Sequence, residues 1–109
     1  MKRKELSSIE REALLMALLS QLLREEISSG QVLRKLRREV LGMSQTQYAE
    51  LVGISRRSLS DLEADKASPT LALLNQVFRP LGLQTGLVPR NRELRKRLLS
   101  IEQCPSESF

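Results

Sequence analysis

The sequence predicts an all-α domain of five helices followed by one short β-strand near the C-terminus. Three observations predict it. Leucines recur at helical spacing along most of the 109 residues, the pattern of amphipathic helices with a 3.6-residue period. Serine, glycine and proline punctuation cuts this pattern into helix-sized pieces. Only in LQTGLV (Leu83–Val88) does the period change to strict alternation, the mark of a strand. The length suits a single domain, since these commonly hold about 100–150 residues.

Residues 7–27 form the first predicted helix, with Ser7 or Ser8 as N-cap and Glu10 and Glu12 in its first turn. Its apolar positions include Ile9, Ala13, Leu14, Ala17, Leu18, Leu22 and Leu23, and Leu15, Met16 and Leu19 widen the stripe beyond one face. Such width predicts contact on two sides, with the domain and with a second subunit. SSG (Ser28–Gly30) breaks this helix, and a second runs from Gln31 to Leu41 with Gly42 at its left-handed end. Ser44 and Gln47 make the capping box of a third helix that ends near Val52. Gly53 supplies a turn, and Ser55 caps a fourth helix from Arg56 to Ala64 with Leu59 and Leu62 inward. Ser68 and Pro69 are expected to cap and start the fifth helix, whose core face is Leu71, Leu74 and Phe78 and which Pro80 and Gly82 stop.

The strand places Leu83, Thr85 and Leu87 on one side. No second strand pattern accompanies it, and a lone strand is not stable. It either pairs with its own copy across a two-fold axis, making a homodimer, or is a loop with two buried leucines. From Pro89 the chain is polar and basic, with one or two helical turns at Arg92–Ile101 and disorder at its end. The expected organisation is a helical extension (1–29), a core domain (30–82), a dimerisation strand (83–89) and a basic tail (90–109).

The chain carries a formal net charge of +5, no histidine and one cysteine, Cys104. That inventory excludes histidine-based triads, histidine metal sites, cysteine zinc clusters and an internal disulfide. No cofactor is expected, and the unpaired cysteine fits a reducing, cytoplasmic setting. The opening MKRK followed by ALLMALL (Ala13–Leu19) has the outline of a targeting segment, but Glu5, Glu10, Arg11 and Glu12 interrupt it. The apolar run also falls far short of the roughly 20 residues that span a bilayer, so a soluble helix and no membrane partner are expected.

Residues 44–66, SQTQYAELVGISRRSLSDLEADK, carry the chemistry. Two short helices about a glycine, with Ala49 for close approach and Leu59 and Leu62 for anchorage, make a helix-turn-helix pattern. The second helix opens with Arg56 and Arg57, although cations there oppose the helix dipole by up to about 1 kcal/mol. In a major groove of double-stranded DNA, each can grip guanine through two parallel hydrogen bonds. Ser60 can reach a base edge or a phosphate, and Asp61 can accept from cytosine at the cost of phosphate repulsion. The bland alternative for the arginines is a solvated charged face. Between Ser44 and Gly82, four basic residues (Arg56, Arg57, Lys66, Arg79) balance four acids (Glu50, Asp61, Glu63, Asp65). Tight binding therefore requires two motifs on one duplex.

Residues 31–82 resemble the Cro/C1-type (XRE) helix-turn-helix family, most closely over Ser44–Leu74. The resemblance implies a lambda-repressor-like domain in which Ser44 and Gln45 start the first motif helix, with Gln45 on a phosphate, and Ser55 starts the reading helix. It further implies an internal ion pair between Arg38 and Glu63, and a backbone-holding loop at Lys66 and Ser68. The fifth helix running into RPLGLQTGLVPR is similar to HipB-type antitoxins. This implies a dimeric repressor of its own operon whose partner is a HipA-like serine/threonine kinase toxin. A stand-alone phage-type or housekeeping repressor and a pure protein-interaction module are the other readings.

Overall fold

The computed structural model describes residues 6–101. Among them are six α-helices: α1 (Ser8–Leu23), α2 (Ser29–Lys35), α3 (Gln45–Val52), α4 (Arg56–Glu63), α5 (Leu71–Phe78) and α6 (Arg92–Ile101). A π-helical turn (Leu36–Leu41) prolongs α2, and a 3-10 turn (Arg79–Leu81) prolongs α5. None of these helices is long and apolar enough to cross a membrane. Cys104 and Phe109 lie outside the described residues.

Caps set the helix starts. Ser7, Ser28 and Ser44 each form a reciprocal capping box, with Glu10, Gln31 and Gln47 respectively, satisfying donors that the first turn leaves open. The Ser7 backbone N–H and hydroxyl hold the Glu10 carboxyl below its ordinary pKa. Ser55 caps α4 alone, its hydroxyl oxygen accepting from the Ser58 N–H at 3.0 Å.

Several boundaries differ from expectation. α1 stops at Leu23 because Glu25 takes a left-handed φ of 60° and the Glu26 N–H closes onto the Gln21 carbonyl. Ile27 then folds back onto the core. Gly30, expected as a breaker, lies inside α2. A Cβ there would stand 2.5 Å from both the Leu62 carbonyl oxygen and an Asp65 carboxylate oxygen, so glycine permits α2 and α4 to touch. Thr70 rather than Ser68 caps α5, accepting from the Leu73 N–H at 3.1 Å. Gly53 has a φ of 81°, and a Cβ there would meet only the Gln76 amide nitrogen, at an ordinary contact distance of 3.4 Å, so conformation rather than crowding demands glycine there.

The core gathers one face of each helix from α1 to α5. Val32, Leu33, Leu36, Tyr48, Leu59 and Val77 are almost wholly excluded from solvent, and Leu18 brings α1 into the same cluster. The N-terminal extension is thus part of the domain, packed on α2 and the π-turn. With so few aromatics, Tyr48 fills the centre and donates its hydroxyl to the Val77 carbonyl at 2.5 Å, joining α3 to α5.

No strand occurs among the described residues, and 83–89 has no regular secondary structure. Leu83 packs against the core, and the Thr85 N–H and hydroxyl both donate to Asn75 Oδ1, at 2.8 and 3.1 Å. Leu87, expected on that same side, is fully exposed. The bonding of Thr85 to a side chain of α5 replaces the ladder that alternation predicts.

The described part of the tail, residues 90–101, holds a longer helix than the one or two turns expected, and the expected disorder at its end lies outside the described residues. Asn91 accepts from the Leu94 N–H to start α6, and Arg95 is buried at 4% exposure. Its Nη1 donates to the Pro89 carbonyl at 2.6 Å, and Nη2 lies 2.8 Å from Glu25 Oε1 as an ion pair. That pair lacks hydrogen-bond alignment, and Nε has no hydrogen-bond partner among the described residues.

Burial, reinforced by the Glu63 charge, pushes the Tyr48 phenol from 10.0 to about 12. The fold favours the neutral phenol, so this contribution is full below pH 10 and is lost as pH rises toward 12. Tyr48 is the single tyrosine and there is no tryptophan, so its phenolate absorbance can be followed cleanly. The expected titration midpoint is near 12, coincident with loss of helical circular dichroism. A midpoint near 10 in still-folded protein would contradict the burial.

Candidate nucleic-acid interface

The sequence Ser55-Arg56-Arg57-Ser58 begins α4 with its polar residues outward, while Leu59, Leu62 and Glu63 face the core. Spacing explains this. Residues 59, 62 and 63 recur at three and four positions along one helical face, leaving 56, 57 and 60 on the other. Arg56, Arg57 and Ser60 are exposed and Asp61 is half-buried. Among the described residues, the side chains of Arg56, Arg57, Ser60, Asp61 and Lys66 have no hydrogen-bond or ion-pair partner. Two guanidinium groups stand open at the first turn of a rigidly capped helix.

Behind that helix lies a buried polar network. Arg37 Nε donates to Glu63 Oε2 at 2.6 Å, and Arg37 Nη2 to Glu63 Oε1 at 2.9 Å. The remaining arm, Nη1, donates to the Met43 carbonyl at 2.8 Å. Gln45 Nε2 donates to Glu63 Oε1 at 2.9 Å. The π-turn, the start of α3 and the end of α4 are thereby pinned to one carboxylate, itself 3% exposed.

The arginine in this network is Arg37, not the expected Arg38, which is exposed. The resemblance assigns that arginine by alignment, which does not register a π-turn. The π-turn at Leu36–Leu41 inserts extra chain per turn and rotates the preceding arginine inward. The Met43 N–H, bonded to the Arg37 carbonyl at 3.0 Å, closes that turn.

At the start of α3, the Ser44 hydroxyl oxygen accepts from the Gln47 N–H, so its O–H remains available to a ligand. One amide hydrogen of Gln45 is committed to Glu63 and the other is unused. Lys66 is exposed just past α4, and its backbone N–H bonds the Asp61 carbonyl.

Sequence reasoning missed Asp65. It adopts a left-handed φ of 58°, and its carboxylate accepts from the Ser28 hydroxyl and from the Gly30 N–H at 3.0 Å. A carboxylate at the start of α2 also complements the helix dipole. The signal was its residue type, since aspartate is among the few side chains that tolerate this conformation. No group of His, Cys, Asp and Glu among the described residues is placed to hold a metal ion.

Two short helices about a left-handed glycine, with the second projecting its first turn, are the geometry of a helix-turn-helix. A family model for the helix-turn-helix matches residues 33–87. The chain belongs to the Cro/C1-type helix-turn-helix family. The immunity repressor protein of Bacillus phage phi105 is 36% identical over 59 residues, covering 54% of this chain and 40% of that repressor. The HTH-type transcriptional regulator PuuR of Escherichia coli (strain K12) is 34% identical over 59 residues, 54% of this chain and 31% of PuuR. An uncharacterized HTH-type transcriptional regulator of Methanothermobacter thermautotrophicus is 39% identical over 51 residues, 47% of this chain and 72% of that protein. The chain thus spans less than half the length of the phage repressor and of PuuR. No solved structure matches it significantly.

Replacing Arg37 by Ala strands a buried carboxylate and is expected to cost about 3–5 kcal/mol of unfolding free energy. Arg38→Ala, at an exposed position, is expected to stay within about 0.5 kcal/mol of the parent. Urea denaturation followed by circular dichroism checks both, and equal costs would contradict the register given above.

Proposed function

We propose that this helix-turn-helix protein is a sequence-specific DNA-binding repressor that acts as a homodimer on a two-half-site operator. The observation that carries this reading is the pair of unpartnered arginines, Arg56 and Arg57, at the exposed first turn of α4. Placed in the major groove, that turn reads guanine edges through Arg57 and Arg56, with Ser60 and Asp61 one turn further along. Ser44, Ser55, the free hydrogen of the Gln45 amide and Lys66 take the phosphates on either side, setting register without reading sequence.

Dimerisation follows from the segment after α5. Leu83 and Thr85 are held against the domain, whereas Leu87 projects at full exposure and Val88 at 55%. A second copy's segment laid alongside covers both and supplies the missing backbone ladder. The neutral charge of the motif makes this pairing important for affinity, because one motif neutralises few phosphates.

The finer reading is an antitoxin: a repressor of its own operon that also neutralises a HipA-like kinase toxin. The likeness of RPLGLQTGLVPR to HipB-type antitoxins supports it. The second reading, a stand-alone repressor without a toxin, is favoured by the names of the phage and bacterial relatives given above. Affinity purification from the native cells after nuclease treatment separates them. A kinase-like protein in stoichiometric amount establishes the antitoxin, and recovery of the protein alone establishes the stand-alone repressor.

Arg57→Ala is expected to weaken binding to the selected operator by about 1–3 kcal/mol, measured by fluorescence anisotropy, with the circular dichroism unchanged. Equal weakening on scrambled duplex would remove the base-reading role. Leu87→Asp is expected to shift the light-scattering mass toward the monomer, and an unchanged mass would remove the strand pairing.

A further inference from the structure

The inward face of α1 is accounted for by Leu14, Leu15, Leu18 and Leu22, which pack on the core. Its outward face is also apolar. Ile9 is 82% exposed, Met16 63% and Leu23 42%, and Ala13 is exposed between them. These positions advance in alternating steps of four and three residues, with Ser20 completing the series. That is the spacing of a coiled-coil seam, which keeps one line of side chains facing a partner helix. A protein selected to be monomeric has no reason to keep so regular an exposed line on a helix whose opposite face already anchors it.

The charges beside the seam identify the occupant. Glu10 and Arg24 flank the seam at opposite ends, equally far from Ala17, one residue beyond the seam's middle at Met16. In an antiparallel pair of α1 helices the two seam positions alternate across the interface, so Ala13 meets Leu23 of the second copy and Met16 meets Ser20, about a two-fold axis at the level of Leu18. The same register brings Glu10 against Arg24 at both ends. Both charged residues are exposed, and a two-fold interface must be self-complementary in this way.

We infer that the outer face of α1 is a self-association surface, occupied by α1 of a second copy of this chain in antiparallel orientation. It is separate from the segment around Leu87 and does not depend on the DNA-binding reading. A chain with two distinct two-fold surfaces links dimers into tetramers or longer assemblies.

Sedimentation equilibrium on the full chain tests it, in a Leu87→Asp background so that only the α1 surface contributes. Glu10→Arg sets arginine against arginine at both ends, and Arg24→Glu sets carboxylate against carboxylate. Each is expected to weaken association roughly tenfold, because two exposed contacts change from attraction to repulsion. An equimolar mixture of the two variants restores opposite charges at both contacts, and is expected to recover the parent's association as a mixed dimer. Glu10→Gln keeps the capping box while removing the charge, and is expected to fall between the parent and Glu10→Arg. A monomeric parent, single variants that associate as well as the parent, or a mixture no stronger than its components would each overturn the inference.

Discussion

The bidentate contact between Arg37 and Glu63 is the constraint around which the motif is built. Removing two opposite charges from water carries a desolvation cost that only good geometry offsets. Here every strong direction is used: a two-pronged guanidinium–carboxylate contact, a third guanidinium bond to the Met43 carbonyl and the Gln45 amide on the shared oxygen. Because the participants come from the π-turn, α3 and α4, satisfying the pair fixes these elements relative to one another. The open arginines at the start of α4 inherit their orientation from a carboxylate at its other end. The Gln45 side chain is oriented by the same carboxylate.

Polar ties at helix ends supplement this network where apolar bulk is scarce. Tyr48 reaches the Val77 carbonyl, and Asp65 reaches back to Ser28 and Gly30. Each joins residues far apart in sequence, at a point where a backbone group would otherwise lack a partner. At Gly30, α2 lies directly against the carbonyl of Leu62, with no room for a side chain between them. The domain therefore relies on where its helices begin and end as much as on how their faces pack.

That reliance explains what the sequence discloses. Capping serines at 7, 44 and 55, the glycine turn at 53 and the outward arginines at 56 and 57 follow from local rules, and the structure places them accordingly. The identity of the buried arginine depends on a π-turn, which leaves no compositional mark, so adjacent arginines could not be told apart. Thr70 takes the cap from Ser68 because tertiary packing sets where α5 starts. The alternation in Leu83–Val88 cannot supply a pairing partner, and within one chain Asn75 answers Thr85 while Leu87 turns outward. The uniform leucine content of α1 concealed which of its faces turns inward.

The attachment of α6 is of a different kind from that of the other helices. Arg95 is the only residue of Arg92–Leu99 that is buried, while Leu94 and Leu98 remain substantially exposed. Its main charged partner, Glu25, is itself 58% exposed. Helices fixed by a shared apolar core open only with the whole domain, whereas one held by a single guanidinium opens by itself at low free energy. Amide hydrogens of α6 therefore exchange with solvent through local detachment, on a clock separate from that of α3 and α4. Among the described helices, α6 is the first to explore other contacts.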